Sequence, residues 1–403
     1  MGKSKRITLI ALVLLLAVSL LAGCGQGQKS GGQQGTASGG NEINIGVNYE
    51  LTGKVATYGT NTKNAILLAF EEINSKGGVL GGKKINPIVL DNGSKQEESM
   101  SVAAKLVTEN KVVALLGPAT TGNTLAAIPV ATDNKVPLLT TSATNPDITV
   151  DPQTKKVRDY IFRICFTDPP QAIVGAEFAV KDLGAKKAAI LYDNTNDYSK
   201  GLYQVFKQEF TKRGGQIVAE ESFNQDDQDF RPFLTRFKNA GADLIYVPAY
   251  YEQVGKIVSQ ARELGLNVPM LGADGWDSPK LAEFAGGAAN LKDTYFTNHY
   301  SASDPNPKVQ AFVKAYKEKY GTEPDAFAAL GYDAAYLLAD AINRAGKAEP
   351  EAIRQALAET KNFEGVTGKM SFDSNHNPVK EIAIIALVDG KQTLKTKIQP
   401  TSN

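Results

Sequence analysis

From Ile43 onward, short apolar runs alternate with longer segments whose apolar residues recur at helical spacing, and no other feature constrains the fold as much. Strand-length runs fall at 43–49, 84–91, 112–117, 137–140, 188–192, 216–223, 243–248 and 268–271. Helical periodicity fills 59–75, 96–110, 123–134, 171–183, 199–213, 230–240 and 252–264 between them. Gly77, Gly184, Gly214, Gly241 and Gly265 stand just past several of these segments, where a left-handed cap favours glycine. Parallel strands need crossovers of this length, so the chain is predicted to be α/β, with doubly wound parallel sheets.

The stretch 142–159, rich in Pro, Asp and Thr, separates two sets of four strands and is predicted to carry the chain from one lobe to another. A second crossing is predicted near 299–307, followed by helices at 308–320, 326–345 and 349–359 and by closing strands near Phe372 and at 381–388. Each lobe is then built from separate pieces: 43–166 with 300–370, and 167–299 with 371–403. No internal repeat of 20 to 50 residues is visible.

The charge balance, 44 Lys and Arg against 43 Asp and Glu, gives no field to hold a polyanion, so nucleic acid is excluded as a partner. Two Cys and two His cannot supply a structural zinc or iron–sulfur centre, and no cofactor or metal is expected. Gly77 to Lys84 spells most of a phosphate-binding loop, but Lys84 replaces the Ser or Thr needed for magnesium and the loop runs from helix to strand, so it reads as a turn. Asp193 to Asp197 resembles the start of a calcium loop, yet Tyr198 stands where the sharp-turn Gly belongs. There is no Gly-x-Ser-x-Gly elbow and no His-Glu-x-x-His helix, so no enzyme is expected. His299 and His376 read as solvent-facing or locally hydrogen-bonded residues, and Cys165, in the strand-like run 161–166, as a buried inert thiol.

Lys3, Lys5 and Arg6 precede an apolar run at 7–22, short for a membrane span of about 20 residues, and this reads as an export signal over 1–23. The run ends in Leu21-Ala22-Gly23-Cys24, which resembles a bacterial lipobox and implies that Cys24 is lipidated and becomes the mature N-terminus. Residues 24–42, mostly Gly, Gln, Ser and Lys, read as a tether with a reach of roughly 20–25 Å. The mature chain would carry 41 basic and 43 acidic residues and a single thiol, so no disulfide within it.

Candidate binding residues cluster after strands, where open parallel sheets bind ligands. Gly117-Pro118-Ala119-Thr120-Thr121-Gly122 and Thr140-Thr141-Ser142-Ala143-Thr144 offer short hydroxyls and free amides suited to a carboxylate; either run alone is equally well ordinary helix capping. In the second half, the strand ends carry Asp197-Tyr198, Tyr250-Tyr251 and Asp274-Gly275-Trp276. An acid flanked by glycine beside the only Trp suits an ammonium group with an apolar body, and suits as well a turn Asp beside a core Trp.

Ile45-Gly46-Val47 through Leu51-Thr52-Gly53, Tyr58-Gly59, Ala69-Phe70-Glu71-Glu72-Ile73-Asn74 and Gly77-Gly78-Val79 resemble the opening of the leucine/isoleucine/valine-binding proteins of ABC transporters, and the likeness runs to the C-terminal strands. The resemblance implies a type I periplasmic binding fold, two α/β lobes joined by three crossings and closing over a ligand. It implies that Thr121, or Thr120 on a one-residue shift, holds a ligand α-carboxylate with the Thr144 amide and Tyr250. It places the α-ammonium on the Ser142 carbonyl, the Thr144 hydroxyl and Asp274, with Ala143 in the same segment. Tyr58, Tyr198 and Trp276 would line the side-chain pocket, with Phe327 a weaker member. Two departures stand out: the family's first-lobe disulfide cannot form here, and the acid is often Glu where Asp274 is one methylene shorter.

The implied protein is a monomeric, lipid-anchored extracytoplasmic lipoprotein that captures an apolar, branched-chain amino acid and delivers it to an ABC permease. The alternatives are a ligand-sensing lipoprotein of the same fold and an amidohydrolase using paired carboxylates.

Overall fold

A computed structural model describes residues 41–399, and the expected signal segment, Cys24 and nearly all of the tether lie outside these residues. The chain opens β1 (Glu42–Tyr49), α1 (Ala56–Ser75), β2 (Lys84–Asp91), α2 (Gln96–Thr108), β3 (Ala114–Leu116), α3 (Thr121–Asp133), β4 (Leu138–Thr140) and β5 (Ile161–Arg163). These five strands form one parallel sheet in the order β2-β1-β3-β4-β5. β5 belongs to this sheet, so the segment 142–159 does not leave it, contrary to the sequence expectation. It instead folds back through a 3-10 turn at Pro146–Ile148 and an antiparallel bridge between Val150 and Val157.

The second sheet begins after α4 (Asp168–Lys181), with β6 (Lys187–Asp193), α5 (Asp197–Lys212), β7 (Gln216–Phe223), α6 (Arg231–Asn239), β8 (Leu244–Tyr246), α7 (Tyr251–Glu263), β9 (Met270–Gly272), α8 (Leu281–Phe284) and β10 (Thr294–Asn298). Then follow α9 (Pro307–Tyr320), α10 (Ala326–Ala345), α11 (Pro350–Ala358), the small hairpin β11 (Phe363–Gly365) and β12 (Gly368–Met370), and finally β13 (Ile382–Val388) and β14 (Lys391–Ile398). The strand order is β7-β6-β8-β9-β10-β13-β14, with β13 antiparallel to β10 and β14 antiparallel to β13. Its first five strands repeat the winding order of the other sheet. Each half therefore has a switch point, between β1 and β3 and between β6 and β8, where ligands bind in doubly wound folds.

The late helices return to the first sheet's side. Ile66, Phe70 and Ile73 of α1 share one buried cluster with Leu330, Leu337, Leu338 and Ile342 of α10. The helices approach so closely that a Cβ on Gly331 would lie 2.7 Å from the Thr62 carbonyl oxygen. α10 starts where the Asp325 carboxylate accepts from the Ala328 amide at 2.8 Å and stops at Gly346, φ 68°.

Candidate functional site

Strand ends from both sheets converge on one cavity lined by Tyr58, Ala119, Thr120, Thr121, Ser142, Tyr198, Tyr250, Asp274, Gly275 and Phe327. The space between these walls is about 10 Å³, room for one water. A polar cavity of about 400 Å³ adjoins it and shares Thr120 and Tyr250 as walls.

On the first sheet's side, the turn into α3 is fixed by a buried acid that the sequence did not single out. Glu50, just past β1 and fully buried, accepts from the amides of Ala119 and Thr120 at 3.1 Å each, and from the Thr120 hydroxyl and Asn123 amide at 2.8 Å each. Gly117 fits there because a side chain would strike the Asn48 carbonyl oxygen, 2.3 Å from an added Cβ, and because its φ is +93°. With the Thr120 hydroxyl engaged, the Thr121 hydroxyl is the one left buried and without a partner. The Thr144 hydroxyl is buried too, beside the Asp168 carboxyl that it helps to hold down, but with no well-aligned hydrogen bond. Both are unusual, since buried hydroxyls are normally satisfied.

The segment that carries Ser142, Ala143 and Thr144 is held from beneath by Arg163, whose fully buried guanidinium donates to the carbonyls of Ala143 at 2.7 Å and Asn145 at 2.8 Å. Cys165 is buried beside it, and burial pushes its thiol up to about 12. The Ser142 hydroxyl donates to the Ala119 carbonyl at 2.9 Å, tying the two hydroxyl-rich turns together.

The second sheet supplies Asp274, only 2% exposed, on a 3-10 turn at Asp274–Trp276. Its Oδ1 accepts from the Tyr198 hydroxyl at 2.9 Å and Gln171 Nε2 at 3.1 Å, and its Oδ2 lies 3.1 Å from His299 Nε2. The same Gln171 amide reaches Asp168 Oδ1 at 3.3 Å and is itself fixed by the Thr297 hydroxyl at 2.9 Å. Burial pushes the Asp168 carboxyl up to about 7; the Asp274 charge adds to this, while Thr144, Arg163 and Gln171 oppose it. Burial likewise raises the phenols of Tyr58 and Tyr198 well above their ordinary value, so both are neutral donors.

The apolar walls are aromatic. Tyr58 stacks on Phe327 with centroids 4.1 Å apart, meets Tyr250 edge-on at 5.7 Å, and Tyr250 stacks on Tyr198 at 5.2 Å. The Tyr58 hydroxyl, from the first sheet's side, donates to the Gly275 carbonyl of the second, so this wall bridges the two halves.

Tyr58, Thr121, Ser142, Tyr198, Tyr250 and Asp274 thus share one cavity, with Phe327 beside them. Ala143 and Thr144 lie just behind it: Ala143 is turned toward Arg163 and Cys165, and the Thr144 carbonyl accepts from the Asp168 amide at 2.9 Å. Trp276 differs from expectation. Its indole is fully buried, donates to the Val247 carbonyl at 2.8 Å and packs toward Phe296, so it is core beneath the site rather than a cavity wall. His299 is neither solvent-facing nor only locally hydrogen-bonded: its ring is buried and meets Asp274, 25 residues away in sequence.

A protein-family model described as periplasmic binding protein matches residues 42–392. The chain belongs to the periplasmic binding protein family. It is 32% identical over 333 residues to a Leu/Ile/Val-binding protein of Rhizobium johnstonii, covering 82% of this chain and 87% of that protein. Among solved structures it is similar to a leucine-binding protein, LivK, of Thermotoga maritima, with 36% identity, a TM-score of 0.83 and coverage of 89% and 99% of the two chains. It is also similar to the branched-chain amino acid transporter substrate-binding protein LivJ of Streptococcus pneumoniae in complex with isoleucine, with 40% identity, a TM-score of 0.82 and coverage of 88% and 98%.

Proposed function

We propose that this protein is the substrate-binding component of an ABC importer and captures an apolar, branched-chain amino acid between its two sheets. The observation that carries this is the pairing of opposites across one cavity: the unpartnered Thr121 hydroxyl on one side, with Thr144 just behind it, and the buried Asp274 carboxylate on the other. A zwitterion is the small guest that satisfies both, and the Tyr58, Phe327, Tyr250 and Tyr198 rings give its side chain an apolar seat. The ligands for which its relatives are named, leucine, isoleucine and valine, agree with that chemistry.

In this reading Thr121 holds the α-carboxylate, aided by the Thr144 amide and Tyr250. The Ser142 carbonyl, the Thr144 hydroxyl and Asp274 receive the ammonium. An amino acid is far larger than the space between these walls, so the walls must part to admit it, and contacts made only when they meet again stabilise the closed state. The two lobes follow the sheets, 43–166 with 300–370 and 167–299 with 371–403. The mature chain is a monomer anchored outside the cytoplasm through lipidated Cys24, and no chemical step occurs.

A thermal-shift screen against the twenty amino acids tests the function. A true ligand at 100 times its Kd raises stability by about 2.7 kcal/mol. If no amino acid shifts the transition, or if mass spectrometry shows the bound one converted, the reading fails.

A further inference from the structure

His299 sits where the three segments that pass between the sheets meet. It follows β10; its ring stacks on Phe166, ahead of α4, at a centroid distance of 3.6 Å; and Lys380, ahead of β13, adds its charge nearby. The imidazole is 1% exposed. Its Nε2 lies on Asp274 Oδ2, and its Nδ1 is buried with no partner. That arrangement suits one form of the ring, neutral with the proton on Nε2, because a second proton would leave a buried N–H without an acceptor.

Asp274 and Lys380 are the charged groups that face the ring. Lys380 is engaged by the Thr367 hydroxyl and the Ile164 carbonyl, with Asp333 beyond Thr367, and Asp168 is linked to Asp274 by hydrogen bonds through Gln171 and by their charges. Burial lowers the His299 value, Lys380 adds to this, and Asp274 opposes it.

We propose that His299 is a positioning residue that ties the ammonium-recognising carboxylate of Asp274 to the meeting point of the three crossings, and that the protein captures ligand only while this imidazole is neutral. This rests on the proposed contact between Asp274 and a ligand ammonium. A second proton, taken at Nδ1, turns the ring that already donates through Nε2 into a cation beside the same carboxylate, so ligand ammonium and imidazolium compete for one negative charge. By linkage, the factor by which ligand disfavours the proton equals the factor by which the proton weakens the ligand.

The sequence holds only two histidines, so imidazole resonances of tag-free protein labelled at His can be followed from pH 8 to 4.5, with His376→Gln assigning the His299 signal. Leucine at saturation should move the His299 midpoint down by about one pH unit or more, a tenfold or greater coupling. An unmoved midpoint, a rise, or a ring that stays neutral down to pH 4.5 with and without leucine overturns the proposal. Calorimetry on His299→Gln, whose amide nitrogen replaces Nε2, should show leucine binding without the acid-side loss seen in the native protein; an identical acid-side loss counts against it. If native protein at pH 7.5 binds neither leucine, isoleucine nor valine, the amino-acid reading fails instead.

Discussion

Replacing Asp274 separates ligand recognition from folding in a way the geometry makes quantitative. The carboxylate receives three side-chain donors, from Tyr198, Gln171 and His299, all buried. Asp274→Ala strands those donors, at about 1–3 kcal/mol for each left unsatisfied, so the variant should melt well below the native protein. It also removes the partner of a desolvated ammonium, which costs about 2–5 kcal/mol of affinity, or roughly 30-fold to several thousandfold in Kd. Asp274→Asn keeps the acceptor for Tyr198 and Gln171 while removing the charge. It should recover most of the stability but none of the affinity. Calorimetric titration with leucine at pH 7.5, beside thermal unfolding of each variant, reads the two effects separately. Native-like affinity in folded Asp274→Asn would refute the claim that this carboxylate pairs with the ligand.

Thr121→Val should leave the melting temperature near native, because its hydroxyl has no partner within the protein, yet weaken leucine binding by about 1.5–3 kcal/mol. Thr120→Val, which takes a donor from buried Glu50, should show the reverse, and a larger affinity loss there would exchange the two roles. The Asp168 carboxyl is raised from 3.8 to about 7 on folding, so it is protonated more readily folded than unfolded. Its contribution is full below the unfolded value and lost as pH rises toward 7, and urea unfolding of Asp168→Asn should lack that decline. Arg163→Met leaves the Ala143 and Asn145 carbonyls without their guanidinium, and chemical denaturation should show a loss of about 2 kcal/mol or more; unchanged stability would mean the turn holds itself.

Much of this fold is written locally. Strands β2 and β7 and helix α10 begin and end where periodicity and punctuation place them, because glycine turns precede both strands and α10 carries an apolar face between Asp325 and Gly346. β14 escapes because it is an edge strand laden with Lys391, Lys395 and Lys397, with only Leu394 and Ile398 packed against the core to reveal it. β5 shows the opposite limit: three buried residues read as strand, but which sheet they join is decided by pairing with β4, a contact no local pattern encodes.

The site divides the same way. Thr121, Ser142, Asp274, Tyr198 and Tyr250 are legible because they follow strands, where this architecture exposes free amides and side chains, whereas Tyr58, inside α1, is implied only by the family resemblance. Gln171 and Asp168 look like the start of an ordinary helix, and their meaning comes only from facing Asp274 across more than a hundred residues of chain. His299 was visible at a crossing, but nothing nearby in sequence marks the acid it meets. Trp276 misleads for a simple reason: a lone large aromatic beside a glycine turn advertises a pocket, whereas here it fills the space beneath one.

The buried Glu50 carries a consequence for traffic. The amides of Ala119 and Thr120, just ahead of α3, already serve a resident acid, so in the proposed reading an incoming carboxylate meets this helix terminus beside a standing carboxyl group. Its hold depends on a few individually weak dipoles rather than on a full countercharge. A carrier that must surrender its cargo downstream gains from such restraint: retention lasts only while every small contact is made together, and a slight loosening of the jaws is enough to set the passenger free.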